Sequence, residues 1–142
     1  MAAKITAEEL ILRGNFRKEM FDYTEDQFGD RVDQAVLEAS GFIAAKVGSE
    51  IYASADEPRA TALKTAEMDE GHIQMLRTML TVVTGYDAEQ MPPELLNPGD
   101  ILSMIEQLER HRDDILDAYS QSDQPGTPIC VGTVQVDETE TT

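Results

Sequence analysis

The stretch "RATALKTAEMDEGHIQMLRTMLTVVT", residues 59–84, decides the fold. Ala62, Ala66, Asp69, Ile73, Leu76, Leu80 and Val83 recur at alternating steps of four and three, and Leu63, Met79 and Val82 widen the same stripe. That period predicts a long amphipathic helix from Arg59 to Thr84. Gly85 lies just past its end, and Pro58 stands where a first-turn proline is tolerated. One polar residue, Asp69, interrupts the stripe. Such a break fixes register or meets a basic partner across an interface. Glu67, Glu70 and His72 fall beside the stripe, where a solvated face is expected in a chain this acidic. Gly71, costly inside a helix, marks a close approach by another backbone.

Working outward, Asp30 reads as the N-cap of a preceding helix. Its apolar side carries Val32, Ala35, Val36, Ala39, Phe42, Ile43, Ala45 and Val47, and Gly48 is a natural stop. "EIYASADE" then makes a turn. Further upstream, Thr6 and Glu9 have capping-box spacing ahead of Leu10, Ile11 and Leu12, with Gly14 ending a short helix. Residues 15–29 read as a connector with a short helical turn at "TEDQF", where Thr24 and Gln27 repeat the capping-box spacing. Downstream of the long helix, "YDAEQMPPELLNPGD" is a proline-rich connection. Asn97 as N-cap, Pro98 at the first position and Asp100 restart a helix whose apolar side carries Ile101, Ile105, Leu108, Ile115, Leu116 and Tyr119.

After "SQSDQPGTP" the pattern changes to "ICVGTVQV", with the β-branched alternation of a strand, and the chain closes on a polar "DETETT". The expected fold class is therefore all-α, a small bundle of about four helices with a long central one. Residues 1–122 form the helical domain and 123–142 an extended C-terminal tail containing one strand. No other segment offers that strand a partner. Pro128, Ile129, Cys130, Val131, Val134 and Val136 are accordingly expected to dock on another chain by strand addition. Ala39, Ile43, Ala66, Asp69, Ile73, Leu76 and Leu80 are expected in core or subunit packing.

The chain has 142 residues, 28 acidic and 11 basic, for a net charge of −17. That balance disfavours gripping nucleic acid or an anionic membrane, since affinity for both rests on clustered Lys and Arg. No Trp and few other aromatics leave little for a base-stacking platform. The lone Cys130 excludes an internal disulfide and has no histidine nearby to activate it. The opening "MAAKITAEELILRG" carries charges throughout, so neither a signal peptide nor a transmembrane span is expected, and the protein is expected to be soluble and made in a cytoplasm.

A carboxylate-bridged di-metal centre would need inward Glu residues from facing helices and a repeated Glu-x-x-His motif. The nearest approach is the single Asp69-x-x-His72, with Glu38 on the preceding helix, and His111 supplies no second copy. No phosphate loop, nucleophile elbow or zinc spacing is present. No catalytic residue, metal or cofactor is expected.

Residues 31–85, with Glu38–Ala39–Ser40, the Ile51–Tyr52 pair and "LKTAEM", resemble the head–tail adaptor (connector) proteins of tailed bacteriophages. The resemblance implies a structural virion protein, not an enzyme. It implies a ring of copies of itself, typically a dodecamer, assembled in the bacterial cytoplasm and docked beneath the portal protein at the head–tail junction. The next neck or tail protein would bind below, and DNA would pass through without specific binding. The acidic turn at 67–70 departs from the more apolar helix expected there. Two alternatives come from other classes. One is a ferritin-like di-metal oxidase assembled across a subunit interface from Glu38, Asp69, Glu70 and His72. The other is an acidic regulatory protein that mimics DNA.

Overall fold

Thr6 opens the first helix as the spacing predicts. Its hydroxyl accepts from the Glu9 amide, and the Glu9 carboxylate accepts from the Thr6 amide. The computed structural model describes residues 3–86 and 96–120, within which the elements are five helices and one 3-10 turn. Helix α1 spans Ala7–Gly14 and ends on Asn15 in the left-handed region, φ 51°. Gly14 is required for space. A Cβ there would lie 2.2 Å from the Phe16 ring, which folds back over the helix end. A 3-10 turn follows at Lys18–Phe21.

Helix α2 spans Glu25–Val47, which corrects the expected start at Asp30. The Thr24–Gln27 capping box is the start of the long helix, not of an isolated turn. Both of its reciprocal bonds form, and Asp30 sits inside the helix. Gly29 is carried through, because the cap and the downstream packing outweigh the roughly 1 kcal/mol that a mid-helix glycine costs. Gly48, at φ 94°, stops α2 as expected. The segment expected as a turn instead forms a short helix α3, Ser49–Ser54, which buries Tyr52. Helix α4 spans Arg59–Val83 and α5 spans Pro98–Ser120. The Asn97 side chain accepts the Gly99 amide at 2.8 Å, so the expected cap is present.

Helix α4 is the axis of the molecule. It packs along α5 and α2 and touches α1 and the 3-10 turn. One apolar cluster joins Leu10, Phe16 and Phe21 to Val32 and Ala35 of α2, Ile73, Leu76 and Met79 of α4, and Ile101 and Ile105 of α5. A second, at the other end, gathers Ile43, Val47, Tyr52, Leu63, Ala66 and Leu116. Ala39, Ile43, Ala66, Asp69, Ile73 and Leu76 are thus buried within a single chain, and Leu80 is half-buried against the first cluster. Because Leu76 is buried on the axis, Leu76→Ala is expected to cost about 2–5 kcal/mol. A urea denaturation midpoint unchanged from the parent would contradict that placement.

Among the described residues there is no strand, and no helix is long and apolar enough to cross a membrane. The tail residues expected to form a strand, Pro128, Ile129, Cys130, Val131, Val134 and Val136, lie outside the described residues.

Candidate functional site

The acidic turn of α4 is inside the protein. Glu67 and Asp69 are 0% exposed and Glu70 is 1% exposed, which overturns the expectation that Glu67 and Glu70 face solvent. An apolar stripe marks the inner face of a helix that is covered on one side only. Around residues 66–76, α4 is covered on several sides at once: by α1, α2 and α5 along its length, by Tyr52 of α3, and by Lys4 and Ile5 of the N-terminal segment. A helix enclosed in this way buries its polar positions too, and each must find a partner.

Each carboxylate has its own. Glu67 Oε1 accepts the Tyr52 hydroxyl, and Oε2 accepts the backbone amides of Lys4 at 2.8 Å and Ile5 at 3.2 Å. Asp69 Oδ1 pairs with Arg13 of α1, while Oδ2 meets His111 Nδ1 of α5 at 2.6 Å. Glu70 Oε1 accepts from Arg112 at 2.6 Å, and its Oε2 accepts from Gln74 at 2.5 Å. The Arg112 guanidinium also lies 4.6 Å above the Phe42 ring and reaches Asp113 at 2.8 Å. One helical turn therefore ties the N-terminal segment, α1, α3 and α5 to the axis. Gly71 sits in the same turn. A Cβ there would meet the Leu10 methyls at 3.2 and 3.3 Å and Ile5 at 3.4 Å, so the close approach is by side chains of the N-terminal segment, not by backbone.

The electrostatics follow from burial. Burial pushes the Glu67 carboxyl above its ordinary range, although the Tyr52, Lys4 and Ile5 hydrogen bonds pull it down. Tyr52 is pushed up by its own burial and by donating to Glu67. Burial works against the charge on Arg112, but the hydrogen bonds from it to Glu70 and Asp113 win and raise its pKa.

Beside Asp69 lies an open cleft of about 390 Å³, lined by Arg13, His72, Met104, Gln107, Leu108 and His111. His72 stands edge-on to Phe16, centroids 5.2 Å apart, and its Nδ1 is buried with no hydrogen-bond partner. Burial first, and Arg13 second, hold its pKa down from 6.5 to about 4, against the pull of Asp69. His72 is thus a half-buried imidazole, held neutral with its Nδ1 inside the protein.

The unfolded chain protonates His72 below 6.5 while the folded chain resists until about 4, so this contribution to stability is present above 6.5 and is lost between those values as pH falls. The displacement from 6.5 to about 4 is worth about 3 kcal/mol. Glu67 acts oppositely. Its raised pKa makes the folded state gain relative stability as pH drops through it. His72→Leu is therefore expected to flatten the acid limb of a plot of unfolding free energy against pH. Parallel curves for variant and parent would contradict a histidine held neutral in the fold.

Of the residues weighed as metal ligands, Glu38 is drawn elsewhere: it pairs with Arg31 at 3.0 Å, and Arg31 also donates to Thr78. Among the described residues no group of three or more His, Cys, Asp or Glu side chains is placed to hold a metal ion. The residues that sequence reasoning missed are Arg13, His111 and Arg112. Their signal was complementary charge: a basic residue at the end of the first helix and a His–Arg pair on the last, in a chain poor in cations. Comparison with protein-family models, with curated proteins and with solved structures found no match.

Proposed function

We propose that the chain is a structural assembly protein of the head–tail connector class, forming a ring beneath a portal protein and letting DNA pass. The observation that carries this reading is the engagement of every oxygen of Glu67, Asp69 and Glu70 by donors of the same chain. The densest group of chemistry-bearing side chains acts as a cross-brace, and the working part is the outer surface. That surface is strongly acidic, and among the described residues it exposes Leu12, Leu37 and Leu102. The resemblance at residues 31–85 supplies the class. A subunit-bridging di-metal oxidase would need Asp69 and Glu70 free, and both are taken by cationic side chains. In this reading the chain is not an enzyme and uses no cofactor, and residues 128–136 add a strand to the portal.

Electron microscopy of the protein alone and with a candidate portal protein tests the proposal. Rings docked on the portal support it, and absence of any complex contradicts it. The acidic exterior carries a further expectation: duplex DNA should migrate unretarded with the isolated protein at physiological salt. Retarded migration would remove free DNA passage from the account.

A further inference from the structure

We infer that the end of α1, together with Phe16, is a cover that lifts off α4 when His72 takes a proton. The inference goes beyond the connector reading and does not depend on it. His72 stands between two walls: Arg13 and the edge-on ring of Phe16 on one side, and Met104, Gln107, Leu108 and His111 of α5 on the other. It is half-buried, and its Nδ1 lies inside the protein with no hydrogen-bond partner. A neutral imidazole can leave one ring nitrogen idle. The imidazolium cannot, because both of its nitrogens then carry N–H and both must donate. The Nδ1–H finds no acceptor here, and a buried charge without a partner is costly.

The charges around His72 give no relief. Asp69 of its own helix attracts a proton to it, but Arg13 already holds Oδ1 of that carboxylate and His111 holds Oδ2. Arg13 comes from α1 as a cation, and His111 comes from α5, where its protonation adds a second. Elsewhere along α4, α2 brings Arg31 and Glu38, which pair with each other, and the 3-10 turn brings Lys18 and Glu19, both exposed. Tyr52 of α3 is engaged by Glu67. A protonated His72 therefore joins a cluster in which one engaged carboxylate faces cations from three helices. The end of α1 is the wall that yields. Helix α1 has 8 residues against 23 in α5, and short elements open at lower free energy. Its start is held by Glu67 through the Lys4 and Ile5 amides and by the Lys64–Glu9 pair, away from His72. Its end is held by the Arg13–Asp69 pair and by Phe16. Lifting that end takes away both the burial and the Arg13 repulsion that keep His72 neutral, while Asp69 keeps His111.

The lifted form takes its proton near 6.5 and the covered form only near 4, so lifting gains one proton as pH falls between those values. Its equilibrium constant should rise about tenfold per pH unit in that window. Amide hydrogen exchange of the full chain tests this, followed by NMR between pH 6.5 and 5 and corrected for the intrinsic exchange rate. The Phe16 amide, bonded to the Ile11 carbonyl at 3.1 Å, reports the cover, and the Leu76 amide on the axis reports global unfolding. The Phe16 amide should exchange through an opening more populated than the one that exposes Leu76, and that opening should grow about tenfold per pH unit. His72→Leu and His72→Gln should both flatten this slope and keep the helical circular dichroism. A Phe16 opening that does not change with pH, or one indistinguishable from that of Leu76 throughout, overturns the inference. Both of those outcomes are read on the parent, so they hold whether or not a variant folds. A slope that persists in the two variants also overturns it, since another group would then be taking the proton.

Discussion

Arg112→Leu is expected to lower the unfolding free energy by about 3–5 kcal/mol, the cost of leaving one member of a buried ion pair uncompensated. Glu70 is 1% exposed and cannot turn to water, and once Arg112 is gone its other partner, Gln74, supplies one neutral donor. The same substitution removes the guanidinium stacked on Phe42, which joins α5 to α2. Arg112→Lys should recover only part of the loss, because an ammonium cannot lie flat on the ring and reach both Glu70 and Asp113. Chemical denaturation measures both variants. A loss below about 1 kcal/mol for Arg112→Leu, the value of an exposed pair, would show that this bond is open to solvent.

The second large effect separates two replacements at one position. Glu67→Leu leaves the Tyr52 hydroxyl and the Lys4 and Ile5 amides without their acceptor, each at about 1–3 kcal/mol, so a loss of at least about 3 kcal/mol is expected. Glu67→Gln should be far milder. Its amide oxygen can take over the two backbone donors, while its NH₂ donates to Tyr52, whose hydroxyl can accept as well as donate. Burial already works against the ionised form of Glu67, so removing the charge relieves part of that penalty. Equal losses for Leu and Gln would mean that the charge, not the hydrogen-bond count, matters here. Proteolysis near the N-terminus gives an independent readout, since Glu67 holds residues 4 and 5 against α4.

Much of the helical framework was legible in the sequence because local chemistry enforces it. The Thr6–Glu9 box, Gly48, Asn97 and the four-three spacing of α4 each act over a few residues, and each appears where its pattern places it. The error at Asp30 came from giving more weight to a plausible N-cap than to the complete Thr24–Gln27 box six residues earlier. The acidic turn was misjudged for a different reason. Periodicity reports the facing of a helix with one covered side, and Glu67 and Glu70 lie off the stripe by that measure. Their burial depends on Arg112, Tyr52 and the Lys4 and Ile5 amides arriving from distant segments, which no local pattern encodes. Asp69 was better placed: a lone acid on an apolar stripe was expected to fix register or meet a basic partner, and it meets Arg13 and His111 within its own chain.

The acidic turn of α4 is a structural brace, its three carboxylates each held by partners from other segments of the chain. The most direct test is the double variant Glu70→Leu/Arg112→Met, set against its two single variants in urea. A brace can be replaced by apolar side chains of similar volume once both charges leave together. Each single variant is expected to lose several kcal/mol, about 3–5 for the arginine, whereas the double variant should return to within about 1 kcal/mol of the parent and still self-associate. A double variant as unstable as the singles, or one that folds but no longer assembles, would contradict it.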